Sequence, residues 1–266
     1  MDILLLRFDA TLMSFGSVVV DQQNKTDPYP YRSMLTGLVA NALGLNRRDK
    51  SALAALQSRL RYAARRDRQG AAIVDYQTVD FDSNGPMASE LGWTTRGELE
   101  ERGGGDASEG THIRFRHYLA DAIITVAITL EPPEPHPRLD AVSAAVRSPA
   151  RPLFLGRKCC LPSGPVWFGE FAAPSLRRAL EEVPRVGALR RGGTPRGDAD
   201  KLHAIWPESE GGDECQTRRF PRVEDRDAMN AVHVGRRIYV EGLVDPPVPL
   251  DTHRTASPPS LSGRAP

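Results

Sequence analysis

Apolar positions along this chain change period several times, and each change marks an element. Asp2 to Phe8 reads as a compact strand, its Ile3-Leu-Leu-Leu6 run interrupted by Arg7. A loop over 9–29 holds Phe15 and Gly16 and stops at Pro28-Tyr-Pro30. From 30 to 45 the period becomes helical: Leu35, Leu38, Val39, Ala42 and Leu43 fall on one stripe, and Gly44 marks the end. A second helix follows, capped by Asp49 or Ser51, with Leu53, Leu56 and Leu60 on one face. Leu60–Arg66 and Ala71–Val79 then read as strands, with the polar Arg65–Gly70 stretch as the turn between them. This β-α-β opening predicts an α+β sandwich, a modified ferredoxin-like or RNA-recognition-like (RRM-like) domain.

The pattern then breaks. Residues 80–111 carry seven glycines, mixed charges and scattered apolar positions, too long a stretch to be a plain connection. His112–Leu119 and Ala122–Leu130 alternate well and close on Ala120-Asp121, which predicts a hairpin. Arg114 and Arg116 share one face of its first strand, so the region reads as a mobile finger with basic residues at its root. Pro132–Pro137 is a rigid connector, Leu139–Arg147 and Pro174–Val183 are helices, and Pro152–Cys160 is a strand running into Gly156, Arg157 and Lys158. Strands at Lys201–Trp206 and Arg236–Val244 form a small C-terminal β extension. The tail 246–266 is proline-rich without apolar periodicity, which predicts disorder and leaves one domain over 1–245 with an insertion at 79–111.

Composition narrows this little. A formal net charge of +1 gives no global basic signal, yet 31 of the 35 basic residues are arginine. Arginine forks suit phosphates and stack on bases, although a GC-rich genome leaves the same bias. Three cysteines without C-x-x-C spacing argue against a disulfide framework, and adjacent Cys159 and Cys160 read as small buried strand residues. No long apolar run or leader is present, which predicts a cytoplasmic chain without a membrane partner.

Phosphate loops, zinc-protease signatures and nucleophile elbows are missing, and the six histidines lack metal-ligand spacing, so no metal or other cofactor is expected. The Arg116-His117-Tyr118 cluster has the residue types of metal-independent RNA cleavage: a His or Tyr to move a proton, and an Arg for developing phosphorane charge. Other features suit RNA binding. Arg32 and Ser33 lie at a helix N-terminus, where free N–H groups attract phosphate. Gly156 permits close backbone approach beside two cations, Arg157 and Lys158.

The order of these segments resembles the CasD subunits of type I-E Cascade, in the RAMP superfamily. It is carried by Met13-Ser-Phe-Gly16, Tyr31-Arg-Ser-Met-Leu-Thr-Gly-Leu38, Leu43-Gly-Leu45, Asp75-Tyr-Gln-Thr-Val79, Arg116-His-Tyr-Leu-Ala-Asp121 and Phe154-Leu-Gly-Arg-Lys-Cys159. The resemblance implies a β-hairpin thumb between Thr78 and Arg116 and a non-catalytic subunit capping the 5′ handle of a guide RNA. It implies a repeated backbone subunit and a large subunit as neighbours, with target DNA reached indirectly. Phe15, Arg32, Ser33, Gln77, Arg114, Arg116, Gly156, Arg157 and Lys158 are then the expected RNA contacts. A related subunit cuts precursor RNA, which keeps Arg116, His117 and Tyr118 as an alternative catalytic set.

Overall fold

The structure, a computed structural model, describes residues 1–16, 23–79, 91–93, 99–101, 112–185, 201–212, 217–227, 229–230 and 232–245. It is a mixed α/β domain with antiparallel sheets. The strands of its main sheet are β1 (Asp2–Asp9), β4 (Leu60–Arg68), β9 (Ile123–Leu130), β10 (Trp167–Ala172), β11 (Leu202–Pro207), β12 (Arg218–Asp227) and β13 (Val232–Val244), in the order β10-β1-β9-β4-β11-β13-β12. A second sheet gathers β2 (Leu12–Met13), β3 (Gln23–Asn24) and β5 (Ala71–Val79) around β8 (His112–Ala120). Helices α1 (Arg32–Ala42), α2 (Lys50–Arg59), α3 (Leu139–Arg147) and α4 (Leu176–Glu182) complete the domain.

Both faces of the central strands are covered. Leu4, Leu6 and Phe8 of β1 join Leu35, Leu38 and Val39 of α1 and Val142 and Val146 of α3 in one core. Ile3 and Leu5 face the other way, onto Leu176, Ala179 and Leu180 of α4. All eight residues of β9 are buried, Thr125 and Thr129 included, so the stretch read as alternating has no solvent-facing side. The stripe read for α1 is the buried one, and its end is closed by Gly44 and Leu45 N–H groups returning to the Asn41 and Ala40 carbonyls. Arg65 closes α4 similarly: its Nη1 donates to the carbonyls of Leu180 and Val183, while Nε pairs with buried Asp67 (2.6 Å).

Three local expectations are corrected. The segments after His112 and after Ala122 are strands, but they do not pair as a hairpin. β8 pairs along its whole length with β5, from Ala71↔Ala120 to Val79↔His112, and β9 lies between β1 and β4. The turn at 65–70 shrinks to Gln69 and Gly70, because β4 continues to Arg68. A Cβ on Gly70 (φ +69°) would lie 2.4 Å from the Ala120 carbonyl, so the two corners press together and the β4–β9 ribbon continues, bent, as β5–β8. Arg68 ties the corners with bonds to the Asp121 carbonyl (2.6 Å) and carboxylate (2.5 Å). The stretch 152–160 is an irregular loop closed by Leu155 N–H to Cys160 O and Cys160 N–H to Arg157 O, with Cys159 exposed and Cys160 buried. Most of the expected finger, and the tail 246–266, lie outside the described residues; within 80–111 a short ladder pairs β6 (Leu91–Trp93) with β7 (Leu99–Glu101).

Strand β12 escaped sequence reading because seven of its ten residues are charged. Its Arg222 and Glu224 are nevertheless buried. Arg222 donates to the carbonyls of Tyr29 and Pro30 and to the Tyr62 hydroxyl, and stacks 3.9 Å over Tyr31. Glu224 accepts from Tyr62 (2.5 Å), and burial pushes its carboxyl above the usual range against the opposing pull of Arg222. Removing one partner strands a buried charge, so Arg222→Ala is expected to cost about 3–5 kcal/mol in chemical denaturation. Glu224 holds its proton more tightly in the fold than in the unfolded chain, so it lowers stability as pH rises above the ordinary carboxylate range. Glu224→Gln should flatten that decline.

Candidate nucleic-acid interface

Strand alternation sorts the side chains of β8 onto two faces. Arg114, Arg116 and Tyr118 share one face, where their partners on β5 are Gln77, Asp75 and Ile73. Phe115 and His117 share the other, opposite Tyr76 and Val74. Arg114 is exposed and Arg116 half-buried. The loop at 156–159 lies against the arginine-bearing face. Arg157 stacks 4.7 Å over the Tyr118 ring and donates to the carbonyls of His117 (3.1 Å) and Asn24 (3.0 Å). Lys158 beside it is exposed. Four cations are thus gathered on one side of the ribbon, where the summed field favours a polyanion.

Each expected contact residue has a definite place. Gly156 (φ +110°) is required by the fold itself: a Cβ there would sit 1.8 Å from the Ser14 carbonyl oxygen. The space read as room for a phosphate is filled by the Met13-Ser-Phe loop, whose Ser14 N–H donates to Leu155 O (3.1 Å). Phe15 is fully buried, its ring 6.1 Å from Phe8, so its side chain packs the core and offers no stacking surface. Arg32 is also buried, with Nε and Nη2 both donating to Asp225 of β12. It joins helix to hairpin, so its fork is turned inward and Ser33 is left half-buried at the helix start without it. Gln77 donates to Asp75 (2.5 Å).

Arg116, His117 and Tyr118 do not converge. His117 points away from the other two and its Nε2 donates to Gln23 Oε1 (3.2 Å). Tyr118 is buried beside Cys159 Sγ (3.6 Å), and burial holds its hydroxyl above the ordinary tyrosine range. Among the described residues, His, Cys, Asp and Glu form no group able to hold a metal ion, and no helix is long and apolar enough to cross a membrane.

A family model described as CRISPR-associated protein (Cas_Cas5) matches residues 3–240. The chain belongs to this family. The Cascade subunit CasD of the CRISPR system of Escherichia coli (strain K12) is 30% identical over 186 residues, covering 69% of this chain and 78% of that protein. Two solved structures share the architecture at 26% identity. A chain of a CRISPR RNA-guided surveillance complex superposes with TM-score 0.62 over 91% of each chain. A crystal structure of a Cas protein superposes with TM-score 0.59 over 93% of this chain and 97% of that one. Within the Cas_Cas5 match lie both faces of β8 and the 153–160 loop.

The contact between Gly156 and Ser14 yields a direct expectation. Gly156→Ala combines a disfavoured φ with a backbone clash and should cost more than about 3 kcal/mol. Ser14→Ala keeps the carbonyl and loses only the hydroxyl bond to His117 O, so it should cost about 1 kcal/mol. Urea denaturation of both variants checks the contrast.

Proposed function

We propose that this Cas_Cas5 protein is a non-catalytic subunit of a CRISPR RNA-guided surveillance complex of the Cascade kind, holding the 5′ handle of the guide RNA. The observation that carries the proposal is the shared face of Arg114 and Arg116 with Arg157 and Lys158 at its edge. Cations spaced along a strand match the repeat of a phosphate backbone better than a compact ligand, and base-independent contacts suit a constant handle. Kinship with a Cascade subunit and likeness to a chain of a surveillance complex support the setting. The partners are then the guide RNA, the repeated backbone subunit and the large subunit, in the cytoplasm, with target DNA met through the assembly.

The fold reading belongs to the same proposal. Strands β1, β4, β9 and β10, in the order β10-β1-β9-β4 with α1 and α3 in the crossovers, favour a modified ferredoxin-like core. The β5–β8 ladder is then the root of a thumb over 79–111, and β11, β12 and β13 are the C-terminal extension. Binding without cleavage is favoured by the split of Arg116 and Tyr118 from His117 across the two faces of β8.

Titrating the whole chain with labelled handle RNA over a range of salt tests this. Arg114→Ala and Arg116→Ala should each cost about 1–3 kcal/mol and lower the salt slope by about one. A double variant with wild-type affinity and slope would refute the assignment. Incubating repeat RNA with the protein in EDTA should leave it intact. A specific product lost in His117→Ala would overturn the non-catalytic reading.

A further inference from the structure

The face of the β5–β8 ribbon turned away from the arginines is unusual for a surface. Tyr76 of β5 is 56% exposed and Val74 is 54% exposed. Tyr76 pairs directly with Phe115 of β8, ring centroids 5.4 Å apart and planes at 68°. On the far side of β8, Gln23 of β3 is the register partner of Phe115, so Tyr76, Phe115 and Gln23 form one row across three strands. The next row holds Val74 opposite His117, whose Nε2 donates to Gln23. An edge-to-face pair leaves the broad face of one ring open, and a polar pair lies beside it.

Apolar side chains on a two-faced ribbon ordinarily pack onto a neighbour. Here the strand that carries Phe115 and His117 on one face carries Arg114 and Arg116 on the other, one residue away along the backbone. An apolar protein surface laid on Tyr76 would leave these arginines, on the opposite face, without an anion. A single-stranded nucleic acid satisfies both: its bases need a flat apolar surface and its phosphates need the cations. Gln23 and His117 offer an amide and a ring nitrogen within reach of a base edge.

We infer that Tyr76, backed by Phe115, is a stacking platform for one unpaired base of the bound RNA, with Gln23 and His117 beside its edge. This rests on the guide-RNA reading and adds to it a specific contact at the thumb root. A strand of RNA crosses the edge of the ribbon at β5, its phosphates on the Arg114–Arg116 side and one base folded over Tyr76. The contact is apolar and releases no counterion, so it contributes affinity without contributing to the salt dependence.

The test uses the whole chain and a short single-stranded RNA of handle length in which adenines are replaced, one at a time, by 2-aminopurine. At one position the fluorescence should be quenched on binding to the wild type, and Tyr76→Ala should restore it. The same variant should weaken binding about tenfold with the salt slope unchanged, and Tyr76→Trp should retain both quenching and affinity. The platform is overturned if Tyr76→Ala binds this RNA as the wild type does while Arg116→Ala still weakens it; that outcome leaves the guide-binding proposal standing. It is also overturned if Tyr76→Ala keeps RNA affinity but blocks assembly with the other subunits, which makes the face a protein contact. Loss of no affinity in either variant removes the guide-binding reading itself.

Discussion

The basic face is completed where two pieces of backbone touch. At Gly156 the loop 153–160 comes so near the Ser14 carbonyl that no side chain fits, and Leu155 O accepts the Ser14 N–H. That contact fixes where Arg157 emerges. From there its guanidinium reaches two carbonyls, on β8 and β3, and lies over Tyr118. A carbonyl-bound guanidinium keeps its charge, so the fold uses Arg157 as a fastener without neutralising it. The field of Arg157 is thereby added to those of Arg114, Arg116 and Lys158.

The rest of the molecule positions this ribbon. β4 and β9 are held in the centre of the main sheet with helices on both faces, and the same two strands leave the sheet at the Gly70 and Asp121 corners as β5 and β8. The second sheet thus grows out of the centre of the first, with β2 and β3 on the far edge of β8. Buried ionic groups attach the other end: Arg222 and Glu224, with Arg32 on Asp225, fasten the β12–β13 hairpin to the start of α1. Buried ion pairs contribute little net stability but fix geometry, because each partner alone is costly to bury.

Sequence periodicity revealed the elements better than their partners. The helical stripe from Leu35 to Ala42 was legible because burial dictates it, whereas β9 was read as an alternating strand although all eight of its residues are buried. The pairing of β8 with β5 was not, because a break at Ala120-Asp121 looks the same whether the chain turns back or steps to another sheet. Strand β12 was hidden by its charges, which only tertiary pairing makes burial-compatible. At the candidate site, Arg114 and Arg116 were legible from strand alternation, and Arg157 and Lys158 as two cations beside a glycine. Phe15, Gly156 and Arg32 were misread for one reason. A glycine, an aromatic or an arginine has the same letter whether its partner is RNA or a distant part of the same chain, and here Ser14, Phe8 and Asp225 supply that partner. Tyr76 was read only within the Asp75–Val79 segment and not as a contact, because its exposure depends on which strand lies beside β5.

Guide RNA is proposed to lie along the β5–β8 ribbon and the 156–158 loop. Photocrosslinking of thiouridine-substituted guide RNA to the assembled protein, followed by mapping of the joined peptides, tests it most directly. Crosslinks are expected in peptides covering β5, β8 and the loop from Gly156 to Cys160. Crosslinks confined to α4 or to the β10 edge, with none on β8, would contradict that placement.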